Sequence, residues 1–272
     1  MSNDTTPRRE AGLIAFFVLT YLITWGVAAF LFLLPGPFEA IFGPMSMSSP
    51  IFVVAVAAPT ISATILTYTR SRWPGLRELY AGLVRWRFGL QWYALVLIGI
   101  PLIGYLVGRL SADQPGADLS TALLVVSFLV GQLILGPLGE ELGWRGFALP
   151  RLLQRFSPLA ASLILGVIWG VWHLPSFYVS SLVQSSLAIP VFLSGALCMS
   201  VLATWLYLHT GGSVLITVLF HLAFNASLNA FGASFTGFTL AMALCALLVV
   251  VLDRRLGWLR PVAVPAAAST SA

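Results

Sequence analysis

GLIAFFVLTYLITWGVAAFLFLL, residues 12–34, contains no charged side chain. The hydrocarbon core of a bilayer is about 30 Å thick, so a helix of ~20 apolar residues crosses it. This run is long enough. Seven further apolar runs come near that length, at 50–69, 91–110, 119–147, 157–174, 187–208, 212–230 and 235–252. The fold class they indicate is all-α, a polytopic transmembrane helical bundle of about eight spans. Composition points the same way. Hydrophobic residues make up 59% of the 272 and charged residues 8%, whereas a soluble domain carries about 25% charged residues. Most of the surface must therefore face lipid.

The chain reads as a single membrane domain over 1–272, without an internal repeat or a soluble domain. The first residues and the Pro/Ala/Ser-rich tail at 261–272 lack bulky apolar side chains and read as disordered. The first apolar run is too long for the roughly 7–15-residue core of a secretory signal, and no small-residue cleavage site follows it, so it reads as a retained span.

All 14 basic residues are arginine, and the net charge is +5. A basic balance raises the possibility of nucleic acid, but these arginines sit in short segments between apolar runs, which points to topology and anionic headgroups. Arg8 and Arg9 precede the first run. Arg70, Arg72, Arg77, Arg85 and Arg87 lie between the second and third. Arg145, Arg151 and Arg155 lie at or beyond the end of the fourth, and Arg254, Arg255 and Arg260 follow the last. The segments 35–49, 175–186 and 231–234 contain no Arg or Lys, and only Arg109 borders the segment 111–118. The positive-inside rule makes the arginine-rich side cytosolic, with both termini on it. Arg85-Trp86-Arg87 and Trp73 suggest that 70–90 lies along the headgroup region. The absence of lysine suggests a GC-rich prokaryotic gene and hence a plasma membrane. Cys198 and Cys245 fall in separate apolar runs and read as small packing residues.

An ionisable group inside a bilayer costs on the order of 3 kcal/mol and marks a functional position by default. Of nine acidic residues, only Glu140 and Glu141 lie in an apolar run, within Gly139-Glu-Glu-Leu-Gly-Trp-Arg-Gly146. His173 and His221 lie within or at the end of other runs. His209 reads as a loop residue beside Gly211, and Asn229 as packing. Glycines 139, 143 and 146 read as sites of close helix approach. Glu141 and Arg145 are four residues apart and share a helical face, so they can neutralise each other. Glu140 points about 140° away from Arg145 and must find a partner on another helix. That leaves Glu140 as the free carboxylate, suited to general-base work. His221 and Asn225 also share a face, as a donor pair suited to holding an oxyanion. His173 follows Trp169 by four and precedes Pro175, where the helix should end.

These residues resemble the CPBP intramembrane protease family, which includes type II CAAX prenyl proteases and bacteriocin-associated proteins. The family pattern is Glu-Glu-x-x-x-Arg, Phe-x-x-x-His and His-x-x-x-Asn. It reads here as Glu140-Glu141-x-x-x-Arg145, Trp169-x-x-x-His173 and His221-x-x-x-Asn225, with tryptophan replacing phenylalanine. The resemblance covers about 120–252 as a protease-like core. It implies that Glu140 activates water with help from His173, that His221 and Asn225 form the oxyanion site, and that Glu141, Arg145 and Trp169 give structural support. Glu140, His173 and His221 could ligate zinc, but the chain lacks a His-Glu-x-x-His helix, and the favoured reading is metal-free with no cofactor.

The resulting expectation is an intramembrane endopeptidase that cuts a peptide or membrane-protein substrate near the cytosolic face, through a polar cavity open to the cytosol, with the lipid bilayer and no nucleic acid as partner. The alternative is a non-enzymatic immunity or scaffold member of the same family. One difficulty of depth stands. Counted from a helix end at 147, Glu140 lies about 10 Å deep, whereas His173, counted from Ser157, lies about 24 Å deep.

Overall fold

The computed structural model describes residues 6–46, 49–111, 136–253 and 257–259. They form ten helices and, among the described residues, no strand. In chain order these are α1 (Thr6–Leu33), α2 (Pro35–Phe42), α3 (Pro50–Val56), α4 (Ala58–Ala81), α5 (Leu90–Leu110), α6 (137–153), α7 (Pro158–Trp172), α8 (Ile189–His209), α9 (Val214–Ala230) and α10 (Phe235–Leu252). The protein is an all-helical, multi-pass membrane bundle.

Five helical stretches are long and apolar enough to cross a membrane, or six if α3 and α4 count as one span bent by 63°. The bend falls at Ala57, ahead of Pro59, which has no amide hydrogen to continue the α3 ladder. The seventh expected run is the shorter helix α9. Of the fourth expected run, 119–135 and the tail 261–272 lie outside the described residues. The helices differ in how far they are enclosed. Half of the apolar window of α8 is buried, against 11% for α1 and 17% for α10. Helix α8 is therefore the central post, and Leu22, Ile98 and Leu240 face outward from the rim.

Close packing rests on glycine where backbones nearly touch. A methyl group on Gly143 would sit 2.4 Å from the Pro59 carbonyl carbon, and one on Gly139 would sit 3.1 Å from Ala57 Cα. The two glycines thus seat α6 in the α3–α4 bend, and Thr60 Oγ1 donates to Leu138 O there at 3.1 Å. Gly166 and Gly170 do the same for α7 against Leu197 and Leu193 of α8. Small residues four apart on one face are the usual means of close approach in membranes.

Contacts define two ends of the bundle. At one end Ser213 Oγ donates to Arg85 O at 2.7 Å, the Arg85 guanidinium donates to Gly211 O, and Leu159 N donates to Trp258 O at 3.1 Å. The turn from α8 to α9 here takes Gly211 and Gly212 through positive φ. His209, expected in a loop, is the last residue of α8. It pairs with Asp253 beyond α10, to which Trp205 Nε1 also donates at 2.8 Å. At the other end Ser181 Oγ donates to Met45 O at 2.8 Å and Trp25 Nε1 to Trp172 O at 3.1 Å. Segment 70–90 is not a simple linker. Helix α4 kinks at Arg72, which takes φ 50°, and runs on to Ala81, leaving Trp73 71% and Trp86 57% exposed.

The depth difficulty is resolved by the length of α6. It continues past Phe147 to Leu153, because Arg151 bonds the Phe147 carbonyl at 2.6 Å and lays its guanidinium over that ring, so the charge does not end the helix. Glu140 then lies 13 residues from Leu153, about 20 Å along the axis and close to the ~24 Å of His173.

Replacing Gly143 with alanine should lower folded yield and thermal midpoint in detergent, with a destabilisation of about 1–3 kcal/mol from overpacking. Gly26→Ala, whose methyl meets nothing within 4 Å, should leave both unchanged.

Candidate active site

Helix α6 begins with Pro137 in its first turn and widens to a π-helix over Leu142–Ala148 before Pro150. Proline has no amide hydrogen and crowds the carbonyl four residues back, so the ladder loosens ahead of it. Such wide turns occur frequently at functional sites. Glu140 and Glu141 lie in the α-helical turn just before the π-helix and Arg145 within it, all buried.

Arg145 Nη1 donates to Glu141 Oε1 at 2.7 Å, as the four-residue spacing predicts. The same oxygen accepts a hydrogen bond from His221 Nδ1 at 2.9 Å. Glu141 is thus committed to two partners, one on its own helix and one on α9. Its bond to His221 fixes the tautomer. Nδ1 carries the proton, and Nε2 is the nitrogen left for other work.

Glu140 finds its partner on α7. Trp169 Nε1 donates to Glu140 Oε2 at 2.6 Å. The sequence reading gave Trp169 structural support, and the geometry adds a hydrogen bond to that role, because the indole N–H is a donor that a phenylalanine at the same place would lack. The Trp169 ring also lies under the Arg145 guanidinium at 4.7 Å and edge-on to His221 at 5.4 Å and His173 at 5.5 Å. It is the hub on which the other groups turn.

His173 closes α7, where the helix tightens into the 3-10 turn Leu174–Tyr178 at Pro175. Its Nδ1 donates to Trp169 O at 2.9 Å, so Nε2 carries the lone pair, 4.0 Å from Glu140 Oε2. Trp172 Nε1 donates to Thr24 Oγ1 at 2.8 Å and steadies this end of α7 against α1. Sequence reading did not single out Thr24 or the Gly166/Gly170 pair. The four-residue spacing of the glycines was the available signal for the latter.

Glu140, His173, His221 and Asn225 all line one cavity of about 810 Å³. Glu141 and Arg145 do not; they lie behind it. Further lining comes from the second half of α1, from α3, from 175–187, from the first half of α8 and from the α9–α10 junction around Ala233 and Phe235. Toward the arginine-bearing end Trp144, Arg145, Phe147 and Leu149 of α6 are packed at 0–1% exposure. Among the described residues, no three His, Cys, Asp or Glu side chains gather to hold a metal ion.

The model of type II CAAX prenyl endopeptidases, Rce1-like, matches residues 121–227, a span that holds all seven of these side chains. A relative named CAAX prenyl protease 2, from Methanococcus maripaludis, is 29% identical over 231 residues, which is 77% of this chain and 79% of the relative. Over 121–227 the chain resembles the Rce1-like type II CAAX prenyl endopeptidases. Its apolar helices make it a multi-pass membrane protein, and both matches are to peptidases of the CAAX-protease type. Within the family pattern, Trp169 is the departure, and it is the residue that bonds Glu140.

The two glutamates should separate by phenotype. Glu141→Gln takes a full charge away from both Arg145 and His221 and should cost about 3–5 kcal/mol, as the loss of one partner of a buried pair does. Folded yield by size-exclusion profile should drop. Glu140→Gln, still able to accept from Trp169, should give near-normal yield. Equal loss in both would contradict this division.

Proposed function

We propose that the protein is an intramembrane endopeptidase in which Glu140 activates the attacking water without a metal. The observation that carries this reading is the convergence of Glu140, His173, His221 and Asn225 on one cavity, with Glu140 Oε2 and His173 Nε2 4.0 Å apart. That separation suits one water bonded to both, since two hydrogen bonds of about 2.8 Å bridge it. Glu140 takes the water proton, and the hydroxide oxygen bonds the scissile carbonyl carbon. Asn225 Nδ2 donates to the resulting oxyanion. His221 joins it when its ring carries both protons, because only then does Nε2 donate, and Glu141 across the ring stabilises that imidazolium. The carbon–nitrogen bond breaks as Glu140 passes its proton to the leaving amine. The products are a carboxylate and an amine.

Trp169 holds Glu140 Oε2, the oxygen nearest His173 Nε2, and so fixes the carboxylate where the bridging water would bind. A hydrogen bond to a carboxylate contributes about 1.5–3 kcal/mol. Its loss changes the position and basicity of the catalytic group more than the stability of the fold. The substrate is a peptide or a membrane-protein segment that the cavity can admit.

Peptides from membranes bearing wild-type protein should include products absent with Glu140→Gln. Trp169→Phe should fold normally and slow their formation about tenfold. Dialysis of the purified protein against a strong chelator should leave the rate intact, and elemental analysis should find no stoichiometric zinc. Activity removed by the chelator and restored by zinc alone would overturn the metal-free mechanism.

A further inference from the structure

We propose that Thr24 of α1 is a positioning residue for His173, acting through the indole of Trp172. This rests on the catalytic reading above, in which His173 and Glu140 hold the attacking water, and it names what keeps that imidazole in place.

The bend between α3 and α4 is the starting point. In a continued helix the Ala55 carbonyl would accept from the amide four residues on. That residue is Pro59, which has no amide hydrogen. Thr24 Oγ1 donates to Ala55 O instead, at 2.7 Å. A hydroxyl has one proton to give and lone pairs to receive with. With its proton committed to Ala55 O, Thr24 Oγ1 accepts from Trp172, whose Nε1 donates to it at 2.8 Å. The acceptor that fixes the Trp172 indole is thus itself fixed by the proline bend.

Helix α1 grips the last turn of α7 at two further points. Tyr21 Oη donates to Ile168 O at 2.5 Å, and Trp25 Nε1 donates to Trp172 O at 3.1 Å. Thr24 and Trp25 follow Tyr21 by three and four residues, so the three share one face of α1. Side chains of α1 therefore take up carbonyls at the end of α7, where a helix leaves them over. Helix α1 precedes 121–227, so this constraint comes from outside the stretch that matches the endopeptidases.

The turn at His173 shows what the grip holds. His173 N bonds Gly170 O at 3.2 Å, three residues back, where an α-helix would use Trp169 O. Trp169 O is the carbonyl to which His173 Nδ1 donates at 2.9 Å. The tautomer that turns Nε2 to Glu140 thus depends on the pitch of this one turn. The imidazole stands edge-on to Trp172, with centroids 4.6 Å apart at 81°, and to Phe192 of α8 at 5.1 Å. Trp172 is the nearer wall. A shift of its indole moves the imidazole, and with it the 4.0 Å gap between His173 Nε2 and Glu140 Oε2 that the water bridges. Thr24 and Trp172 also line the cavity, so direct contact with substrate is the competing role, and KM tells the two apart.

The test uses the purified full chain and a synthetic peptide spanning a Glu140-dependent cleavage site. Thr24→Val keeps the shape of the side chain and removes its hydroxyl. Trp172→Phe removes the same hydrogen bond from the other side, should the first variant not fold. In Thr24→Val kcat should fall about tenfold with KM unchanged, as slight misplacement of a catalytic group does. Thr24→Ser, which keeps the hydroxyl, should restore it. With the three histidines labelled with nitrogen-15 and each assigned by its replacement with glutamine, the His173 ring signals should move in Thr24→Val while those of His209 and His221 stay. Wild-type kcat in both Thr24→Val and Trp172→Phe, a raised KM with kcat intact, or equal movement of all three histidines would overturn the proposal and leave the catalytic reading standing. If no product depends on Glu140, it is the catalytic reading that fails, and the nitrogen-15 signals still decide whether Thr24 sets the His173 ring.

Discussion

The carboxylate of Glu141 must neutralise an arginine that has nowhere else to go. Arg145 is fully buried in a bundle whose exterior is lipid, where a lone guanidinium would be prohibitively costly. One Glu141 oxygen meets it, and the same oxygen also takes the His221 N–H. This three-way contact locks α6 to α9 and decides which edge of the His221 ring is free. The face of the guanidinium rests on Trp169, whose own N–H reaches Glu140. The charge that had to be neutralised thus fixes all three helices that carry the candidate chemistry.

The backbone had to be arranged to allow this. Gly139 and Gly143 let α6 sink into the bend at Ala57, and Gly166 and Gly170 let α7 lie against α8. With any side chain at Gly143, α6 would stand off from Pro59, and the two glutamates would move away from Trp169. Close approach also explains how a short helix such as α9 serves. Helix α5 covers its far end, where Gly104 and Gly108 pack against Ser227 and Phe231. The polar core is surrounded by buried aromatic rings, and the cavity reaches it from beside Glu140, His173 and His221.

Much of this was legible in the chain. Apolar runs longer than a bilayer is thick left helices as the only way to satisfy the backbone. The cost of intramembrane charge drew attention to Glu140, Glu141, His173 and His221. The 100° step of a helix paired Glu141 with Arg145. The same step said that Glu140 needed a partner elsewhere without saying which. Trp169 was noticed for its place in a motif, yet its donor role depends on which face of α7 meets α6, and no spacing along one helix contains that. The fourth apolar run was read as ending at residue 147, whereas Arg151 bonds back to the Phe147 carbonyl and the helix goes on to Leu153.

The sequence by itself determined the class of architecture, the identity of the residues too costly to bury without a purpose, and the asymmetry of arginine between the two ends. These follow from solvation and helical periodicity, which are local. Only the tertiary structure decided that Glu141 serves two partners, that an indole holds Glu140, and that the four polar side chains meet in one cavity. Each of these depends on how one helix is rotated and how deep it sits against another. That is set by close packing of side chains far apart in the chain, and a linear pattern does not encode it in readable form.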